Sequence, residues 1–296
     1  MNNKDCLDIA RAVTDLPALK LILPAKIKQT MGRKRKVRSG TWPYFLIKLQ
    51  RWIDAGMEGD CPFSVFVRGN KKLPFVAFSS LPFIDCPGMG PCGVWCYSRK
   101  AWRYPAAFCR QVQNSLLVRY RFETIEKAWK ALPEDITKLR LYVDGDFPSV
   151  DILRAWMELI KSRPKIAVYG YSKSWKEFLS LDATGYNWPQ NYWLNKSSGS
   201  KFANTGIERA MYKIFPMRGD FICVPVDRKH IKNKAYQDKA NPGSKEYRAE
   251  VLSKLKQIAK KVFPCPGNCG NCLPGGRHAC GSEDFKGVTI GIGIHA

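Results

Sequence analysis

The sequence is poor in histidine and contains no nucleophile-elbow motif. Only 3 of its 296 residues are histidine, and all three lie late in the chain, at positions 230, 278 and 295. Hydrolases that use a Ser/His or Cys/His pair need a histidine base beside the nucleophile. The sequence therefore disfavours that class of enzyme.

Long apolar runs are also lacking. No window approaches 18 uninterrupted apolar residues, which excludes a transmembrane helix. The first residues, MNNKDCLDIARAV, lack the basic stretch and apolar run of a signal peptide. Apolar residues still make up 45% of the chain, so a sizeable core is expected and wholesale disorder is excluded. We expect a cytoplasmic protein of one large domain or slightly more.

Acidic residues are scarce relative to basic ones. The chain carries 49 Lys and Arg against 25 Asp and Glu, a formal charge of +24. Residues 26–38 hold seven basic side chains and no acidic one, and residues 228–261 hold eleven against three. This excess favours a polyanionic partner, with nucleic acid as the first candidate, although a solvated surface that keeps the protein soluble is the alternative. The candidate contacts in the first segment are Arg33, Lys34, Arg35, Lys36 and Arg38.

Cysteine, by contrast, is abundant. There are 11 cysteines, too many for ordinary core packing and unlike a disulfide framework in a non-secreted chain. Four are isolated and are expected to be small buried apolar residues: Cys6, Cys61, Cys109 and Cys223. The other seven fall in two segments rich in Gly and Pro: Cys86, Cys92 and Cys96, and then Cys265, Cys269, Cys272 and Cys280.

Both cysteine segments have the composition of metal-binding loops, because thiolates select zinc or iron–sulfur clusters and glycine lets a loop fold round them. The second segment supplies four thiolates, enough for a closed zinc site, with His278 as a less favoured ligand. The first supplies three, which suits a [4Fe–4S] cluster with one iron left open. We expect two separate centres, with one shared centre as the alternative.

Hydrophobic periodicity predicts alternating strands and helices. Strands are predicted over residues 73–79, 139–143, 166–171, 192–195 and 221–225. Helices are predicted over residues 7–16, 42–55, 105–123, 125–132, 149–162, 175–179 and 246–262. Pro17 is expected to end or kink the first helix, and residues 26–38 are expected to form a loop or arm. No internal repeat is visible.

Strand, polar loop and helix in this order imply a parallel sheet or a complete or partial β/α barrel. We expect an α/β core over residues 61–226, a helical, basic extension over residues 1–60, and a basic, cysteine-rich segment over residues 227–296. Chemistry in such folds sits after the strands, at their carboxyl ends. The residues placed there are Cys86, Cys92, Cys96, Asp144, Gly145, Asp146, Lys173, Ser197 and Ser198.

This arrangement resembles the radical S-adenosylmethionine (SAM) superfamily. Three cysteines after the first strand hold a [4Fe–4S] cluster there, and an acidic, glycine-containing motif after the second strand meets the methionine amine. The resemblance assigns the cluster to Cys86, Cys92 and Cys96, and the cofactor amine to Asp144 and Asp146. It also implies a radical-SAM-like partial barrel, with the cofactor carboxylate or the substrate at Lys173, Ser197 and Ser198. The spacing is longer than in the common motif, with five and then three residues between the cysteines.

The chain is also similar to the gene-product-88-like family of phages and plasmids. The matching features are a CPG and a CY segment, a GDF strand end before an AW pair, a YSKS strand end and a late CP pair. The likeness extends over about residues 73–280 and implies a mobile-element origin, but it carries no assigned reaction.

Two functions remain open at this stage. The first is an iron–sulfur enzyme of radical-SAM-like architecture that acts on nucleic acid or a nucleotide. The second is a non-catalytic nucleic-acid-binding protein stabilised by zinc or an iron–sulfur cluster, which serves replication or transfer of a mobile element. In that case aromatic residues near basic ones, among them Trp95, Tyr97, Trp102 and Tyr104, would stack on bases, although packing of a helix on the sheet is the alternative.

Overall fold

The structure is a computed structural model of the chain. It describes residues 1–32, 36–70, 73–227, 229, 245–267, 269, 272–273 and 277–294. The helices are α1 (Asn3–Ala12), α2 (Leu16–Met31), α3 (Trp42–Asp54), α4 (Cys92–Trp95), α5 (Pro105–Tyr120), α6 (Phe122–Lys130), α7 (Val150–Ser162), α8 (Trp175–Asp182), α9 (Gly206–Met211) and α10 (Lys245–Lys256). Short 3-10 helices span Tyr97–Arg103, Ala279–Gly281 and Glu283–Phe285.

The strands form a single eight-stranded sheet. They are β1 (Val67–Asn70), β2 (Leu73–Ala77), β3 (Lys138–Leu141), β4 (Ala167–Ser172), β5 (Tyr192–Ser197), β6 (Met217–Pro225), β7 (Val262–Pro264) and β8 (Thr289–Ile294). Their spatial order is β1-β2-β3-β4-β5-β6-β8-β7. The first pair is antiparallel and every other pair is parallel. The predicted α/β class is therefore confirmed, and the sheet is mostly parallel rather than wholly so.

The two faces of the sheet are covered differently. Alternate strand residues such as Val76, Leu139 and Val168 join the main core, which also buries the indoles of Trp129 and Trp156 on the flanking helices. Residues of opposite parity point to the other face. There a smaller cluster gathers side chains of the strands against the segment around Cys280, and its members include Phe75, Tyr169, Phe221 and Ile290.

The predicted helix at residues 149–162 shows why the periodic segments fold as expected. Ser149 caps α7, and its hydroxyl accepts a hydrogen bond from the Ile152 amide at 3.3 Å. Leu153, Trp156 and Ile160 follow at helical spacing and are all fully buried. Local capping and burial therefore agree in this element.

The start of the chain corrects two expectations. Pro17 does not end a helix but lies in the first turn of α2, where its missing N–H costs nothing. Asp15 caps that helix by accepting from the Ala18 amide at 3.1 Å. Residues 26–31, expected as part of a loop, are the last turns of α2. The N-terminal helices contribute Ile9, Leu19 and other apolar residues to the same core as the strands.

Three strands escaped prediction, namely β1, β7 and β8. Val262, expected to end a helix, begins β7 instead, because α10 ends at Lys256. β8 is the glycine-rich stretch TIGIGI, which has weak strand character by composition. Its glycines allow α10 to approach closely: a Cβ at Gly291 would lie 2.5 Å from Leu255, and one at Gly293 would lie 2.5 Å from Tyr247.

Within the described ranges, none of the helices combines the length and apolar content needed to cross a bilayer.

Candidate functional site

The first cysteine segment, residues 86–96, is called the rim loop here because it lies at the carboxyl ends of parallel strands. The loops that follow β4 and β5 hold it in place. The Cys92 amide donates to the carbonyl of Gly199 at 3.2 Å, and the Lys201 amide donates to the carbonyl of Gly88 at 3.0 Å. Met89 also forms an isolated bridge with Ser200. The rim loop is thus fixed by backbone hydrogen bonds.

Glycine is required where the loops cross. A Cβ at Gly88 would lie 1.6 Å from the carbonyl oxygen of Lys173, and one at Gly90 would lie 2.4 Å from the Lys201 nitrogen. Gly199 has a φ of +79°, and a Cβ there would lie 2.7 Å from the Cβ of Cys92. The glycines of the rim loop at positions 88 and 90 therefore allow the close approach of the neighbouring backbone.

The three thiols of the rim loop are unpaired and sheltered. Cys92 is buried, Cys86 and Cys96 are half-buried, and none forms a disulfide. Burial raises the pKa of the Cys86 and Cys96 thiols, and the neighbouring Asp146 carboxylate raises that of Cys86 further. The ammonium of Lys173 acts in the opposite direction on Cys86. Because metal ligation needs thiolates, binding a metal here would release protons.

Asp146, predicted to meet a cofactor amine, is buried and connects two loops. Its Oδ1 accepts from the Phe147 amide at 2.9 Å and from the Ser172 hydroxyl at 2.7 Å. Its Oδ2 accepts from the Lys173 amide at 2.6 Å. Burial raises the pKa of this carboxyl, and the hydrogen bonds partly offset that effect. Asp146 therefore positions the loop after β4 next to the rim loop.

Asp144 lies at the same edge and faces a polar group of side chains. Its Oδ2 accepts from Gln111 Nε2 at 2.9 Å, and burial raises the pKa of its carboxyl. Gly145 between the two acids has a φ of +80°, and a Cβ there would lie 2.1 Å from the Ser80 hydroxyl. The Asp-Gly-Asp motif thus docks on the loop after β2.

Lys173, Ser197 and Ser198 meet at this edge as the sequence order implied. Lys173 Nζ donates to the Ser197 hydroxyl at 2.8 Å. The Ser198 hydroxyl accepts from the amide of Cys223 at 3.0 Å. The loops after β2, β3, β4 and β5 therefore converge, with one ammonium among several thiols and carboxylates.

Cys223 is the residue at this edge that sequence reasoning missed. It was expected to be a buried apolar residue, but it is only half-buried, as is Cys61, whereas Cys6 and Cys109 are buried. Burial raises the pKa of the Cys223 thiol, and the charges of Lys173 and Cys92 also act on it. The available signal was its position near the carboxyl end of the predicted strand 221–225, because the other candidate residues also lie at the carboxyl ends of predicted strands.

Of the second cysteine segment, residues 265–280, the described residues Cys265, Leu273, Ala279 and Cys280 pack on the sheet face opposite the main core. The Cys265 amide donates to the carbonyl of Gly291 at 2.6 Å, and the carbonyl of Cys280 accepts from Asn195 Nδ2 at 2.9 Å. Burial is the main reason that the pKa of the Cys280 thiol is raised to about 12; Tyr171 and Arg218 act against it, and the nearby Cys269 and Cys272 thiols act with it. The four cysteines of this segment are thus close enough to influence one another.

His278 is packed inside this segment. Its ring lies 4.5 Å from that of Tyr169 and 4.8 Å from that of Phe75, measured between centroids. Burial, followed by the charge of Lys138, lowers the pKa of the imidazole to about 4. Its buried Nε2 has no hydrogen-bond partner within the described part of the chain. The Nε2 atom of this neutral imidazole is therefore a potential metal ligand close to the C-terminal cysteines.

Arg140 of β3 connects the two cysteine segments. Its Nη2 lies 3.5 Å from the hydroxyl of Tyr97, which follows the rim loop, and its guanidinium lies 4.6 Å from the ring centre of Tyr171. A hydrogen bond from Tyr171 in turn lowers the pKa of the Cys280 thiol. Contacts of Arg140 and Tyr171 thus link Tyr97, which follows the rim loop, to Cys280 of the second segment.

Arg218 fixes the end of the second segment to the sheet. This arginine is 1% exposed, and its Nη1 donates to the carbonyls of Phe285 and Val288 at 2.8 and 2.9 Å. Its Nε donates to the side chain of Asn195, which itself bonds the Cys280 carbonyl. The guanidinium therefore connects β6, β5 and the stretch that precedes β8.

Replacing Arg218 by Met is expected to loosen residues 283–288. The change removes several charge-assisted hydrogen bonds, so we expect the free energy of unfolding to fall by about 2 kcal/mol and hydrogen exchange in that stretch to become faster. Hydrogen exchange read by mass spectrometry measures both the site and the size of the effect. The exposed Arg209→Met is the control, and equal protection in the two variants would contradict the assignment.

Within the described ranges, no three or more His, Cys, Asp or Glu side chains are grouped closely enough to hold a metal ion. The donor set at the rim loop and in the second segment is nevertheless rich in thiol, the ligand chemistry of zinc and iron–sulfur centres.

The predicted nucleic-acid contacts fall after α2. Lys36 and Arg38 are exposed, while Arg33, Lys34 and Arg35 lie outside the described residues. Of the aromatic residues considered for stacking, Trp102 is 1% exposed and packs in the core, whereas Tyr97 and Tyr104 are exposed by 51% and 62%. Packing is therefore the correct interpretation for Trp102.

Comparison with known proteins places the chain in a family. A family model described as gene product 88 matches residues 61–285, a stretch that contains the rim loop and both acidic residues of the Asp-Gly-Asp motif. The chain therefore belongs to the gene product 88 family. A search of curated proteins returns no match, and a search of solved structures returns none either.

Proposed function

We propose that the protein holds a [4Fe–4S] cluster on the rim loop through Cys86, Cys92 and Cys96. The observation that carries this proposal is the docking of a three-cysteine loop, by backbone hydrogen bonds, at the carboxyl ends of parallel strands. Parallel α/β folds place their chemistry at that edge. Three thiolates leave one iron open to a ligand that the protein does not supply.

The finer proposal is a radical-SAM-like enzyme with a partial β/α barrel. When bound to the cluster, SAM would supply reductive radical chemistry. Asp144, Ser197 and Ser198 line the same edge as the rim loop and supply polar atoms for the cofactor. Lys173 is the cation available there for a carboxylate. Asp146 would act by holding Lys173 in position, because all its observed partners belong to that task and to the neighbouring backbone.

The alternative proposal is a non-catalytic nucleic-acid-binding protein stabilised by metal. The observation that favours it is the second cysteine segment, where Cys265 and Cys280 pack against the sheet and the Nε2 of His278 has no hydrogen-bond partner among the described residues. Cys269 and Cys272 are the other two thiols of this segment. Four thiolates, or three and this nitrogen, would satisfy a closed zinc site. The charge of +24 supplies the affinity for a polyanion in either proposal.

Anaerobic purification separates the two proposals. The absorption spectrum is recorded with iron, sulfide and zinc analysis, before and after addition of SAM. An iron–sulfur spectrum that changes with SAM supports the enzyme. A colourless protein with stoichiometric zinc and no iron overturns it and leaves the structural alternative.

Replacing Cys92 by Ser tests the ligand assignment. This thiol is buried between the rim loop and Gly199, so we expect the variant to lose the iron of one cluster and keep any metal of the second segment. Iron per chain and the visible spectrum measure the outcome. Cys61→Ser is the matched control, because Cys61 is half-buried and lies outside both segments.

Unchanged iron content in Cys92→Ser would refute the assignment of that residue. Cys223→Ser belongs in the same series, since the thiol of Cys223 lies near that of Cys92 and beside Ser198. If the cluster has one open iron, as proposed, Cys223→Ser keeps its iron. Loss of iron in this variant would mean a site closed by a fourth thiolate and would argue against SAM binding.

A further inference from the structure

A basic cleft opens next to the rim loop. It measures about 430 Å³ and is lined by Asn3, Val94, Cys96, Arg99, Lys100 and Arg103. The three cations lie on the 3-10 helix Tyr97–Arg103, directly after the third cysteine of the rim loop. None of the six lining residues is acidic. The cleft is therefore a concentrated positive surface that borders a candidate metal ligand.

The positive charges of the cleft are not neutralised by acidic side chains of the described residues. Across the described parts of the chain, no carboxylate lies within ion-pair distance of Arg99, Lys100 or Arg103. Arg103 Nε donates only to the carbonyl of Lys100, at 3.2 Å, and Arg99 lies over the ring of Phe83 at 5.3 Å. By contrast, Lys196 is buried and forms an ion pair with Asp220 at 3.0 Å. Unlike Lys196, the three cations of the cleft have no acidic partner among the described residues.

Exposed apolar and aromatic side chains border the same surface. Val94 is 90% exposed on the cleft wall, and Tyr104, next to Arg103, is 62% exposed. The Arg103 guanidinium lies 5.9 Å from the centre of the Tyr104 ring. Surfaces that bind single-stranded nucleic acid combine a basic groove with aromatic rings on which bases stack. Double-stranded nucleic acid offers no such exposed base faces.

We propose that this basic cleft binds the phosphodiester backbone of a single-stranded nucleic acid, with Arg99, Lys100 and Arg103 on the phosphates and Tyr104 against a base. Because Cys96 lines the cleft, the bound strand would pass beside the rim loop. The inference rests on the proposed nucleic-acid partner and assigns it to a surface outside residues 33–38. It does not require that the rim loop hold a cluster.

The test measures binding of a fluorescein-labelled oligo(dT) by fluorescence anisotropy over a range of salt concentrations. An oligonucleotide of about 20 nucleotides spans one or two typical binding sites for single strands. The triple variant Arg99→Ala, Lys100→Ala, Arg103→Ala is expected to bind at least about tenfold more weakly at low salt. The slope of log affinity against log salt should fall by about 2, since each lost phosphate contact removes about 0.7 on a single strand. Tyr104→Ala should weaken binding about fivefold or more with little change in that slope.

A matched control removes the same charge elsewhere. The triple variant Lys127→Ala, Lys130→Ala, Lys165→Ala takes away three exposed lysines near the amino ends of β3 and β4, at the other end of the strands. We expect its affinity to stay within about twofold of wild type. Equal losses in the two triple variants would show diffuse attraction by net charge, and would overturn the proposal. So would wild-type protein that fails to bind the oligonucleotide.

Iron content is measured on the same samples, so that failure of the cleft proposal can be distinguished from failure of the proposed function. If the cleft variant retains the metal of the wild type and loses the oligonucleotide, the cleft proposal holds. If the wild type contains no iron and the cleft variant still loses affinity, the cluster proposal fails and the cleft proposal stands. A duplex of the same length is also tested as a competitor. If it displaces the labelled oligonucleotide as strongly as the single strand does, the preference for single strands is overturned.

Discussion

Replacing Asp85 by Ala is expected to destabilise the protein by about 3–5 kcal/mol. Asp85 is fully buried, directly before the rim loop. Its carboxylate accepts from the Ser115 hydroxyl at 3.0 Å and the Leu81 amide at 3.1 Å, and it forms an ion pair with Arg119. Removing the carboxylate leaves the mostly buried guanidinium of Arg119 without its charged partner, which is the costly outcome for such a pair.

Urea unfolding measures this effect, which should appear as a lower midpoint with little change in slope. The thermal midpoint should fall by about 10 °C, given the size of the chain. Asp135→Ala on the surface serves as control and should stay within about 0.5 kcal/mol of wild type. A loss below about 1 kcal/mol for Asp85→Ala would show that the pair contributes little.

A second variant separates the lost pair from a general failure to fold. In Asp85→Ala combined with Arg119→Met, both charges of this pair are removed, so neither is left buried without the other. We expect the double variant to be more stable than Asp85→Ala alone by at least about 1 kcal/mol. Additive losses would mean that Asp85 and Arg119 act independently.

Gly88→Ala is the prediction with the next largest effect, and it acts on the rim loop itself. The new Cβ would lie 1.6 Å from the carbonyl oxygen of Lys173 and 2.4 Å from its carbonyl carbon, both backbone atoms. One of the two loops must therefore move. We expect a stability loss of about 1–3 kcal/mol, together with loss of the metal proposed for the rim loop.

Thermal melts and iron analysis measure the two effects of Gly88→Ala. Gly206→Ala is the matched control, because a Cβ there meets only the end of the flexible Arg209 side chain at 3.9 Å. Gly88→Ala with wild-type iron would show that the contact with Lys173 does not position the ligands. A crystal structure in which Lys173 keeps its hydrogen bond to Ser197 would contradict the expected displacement.

The sequence predicted the regular elements where periodicity and local signals agreed. Ser149 marked the start of α7, and Leu139 to Leu141 alternate between the two faces of β3 as a half-buried strand does. The order of strand and helix then implied a parallel sheet, which the structure has. Pro17 was misinterpreted because a proline can either end a helix or stand in the first turn of the next one. The capping of α2 by Asp15 shows that Pro17 stands in a first turn.

The parts that escaped prediction depend on distant residues. β8 is a strand because Tyr247 and Leu255 pack over its glycines, a contact that no local pattern reveals. The sequence rule for carboxyl ends grouped Asp146 and Lys173 correctly but gave no hint that they hydrogen-bond each other. Cys223 was set aside because a lone cysteine is usually a packing residue. Its approach to Ser198 and Cys92 follows from the pairing of β5 with β6.

The position of β8 has a consequence for the order in which the sheet is assembled. β8 follows β7 in sequence but lies between β6 and β7, so β7 can join the sheet only through β8. During vectorial synthesis, β6 waits without its second neighbour until residues 289–294 have emerged from the ribosome. The second cysteine segment emerges in that interval. The cysteines of that segment are therefore synthesised before the strand that completes the sheet beside β6.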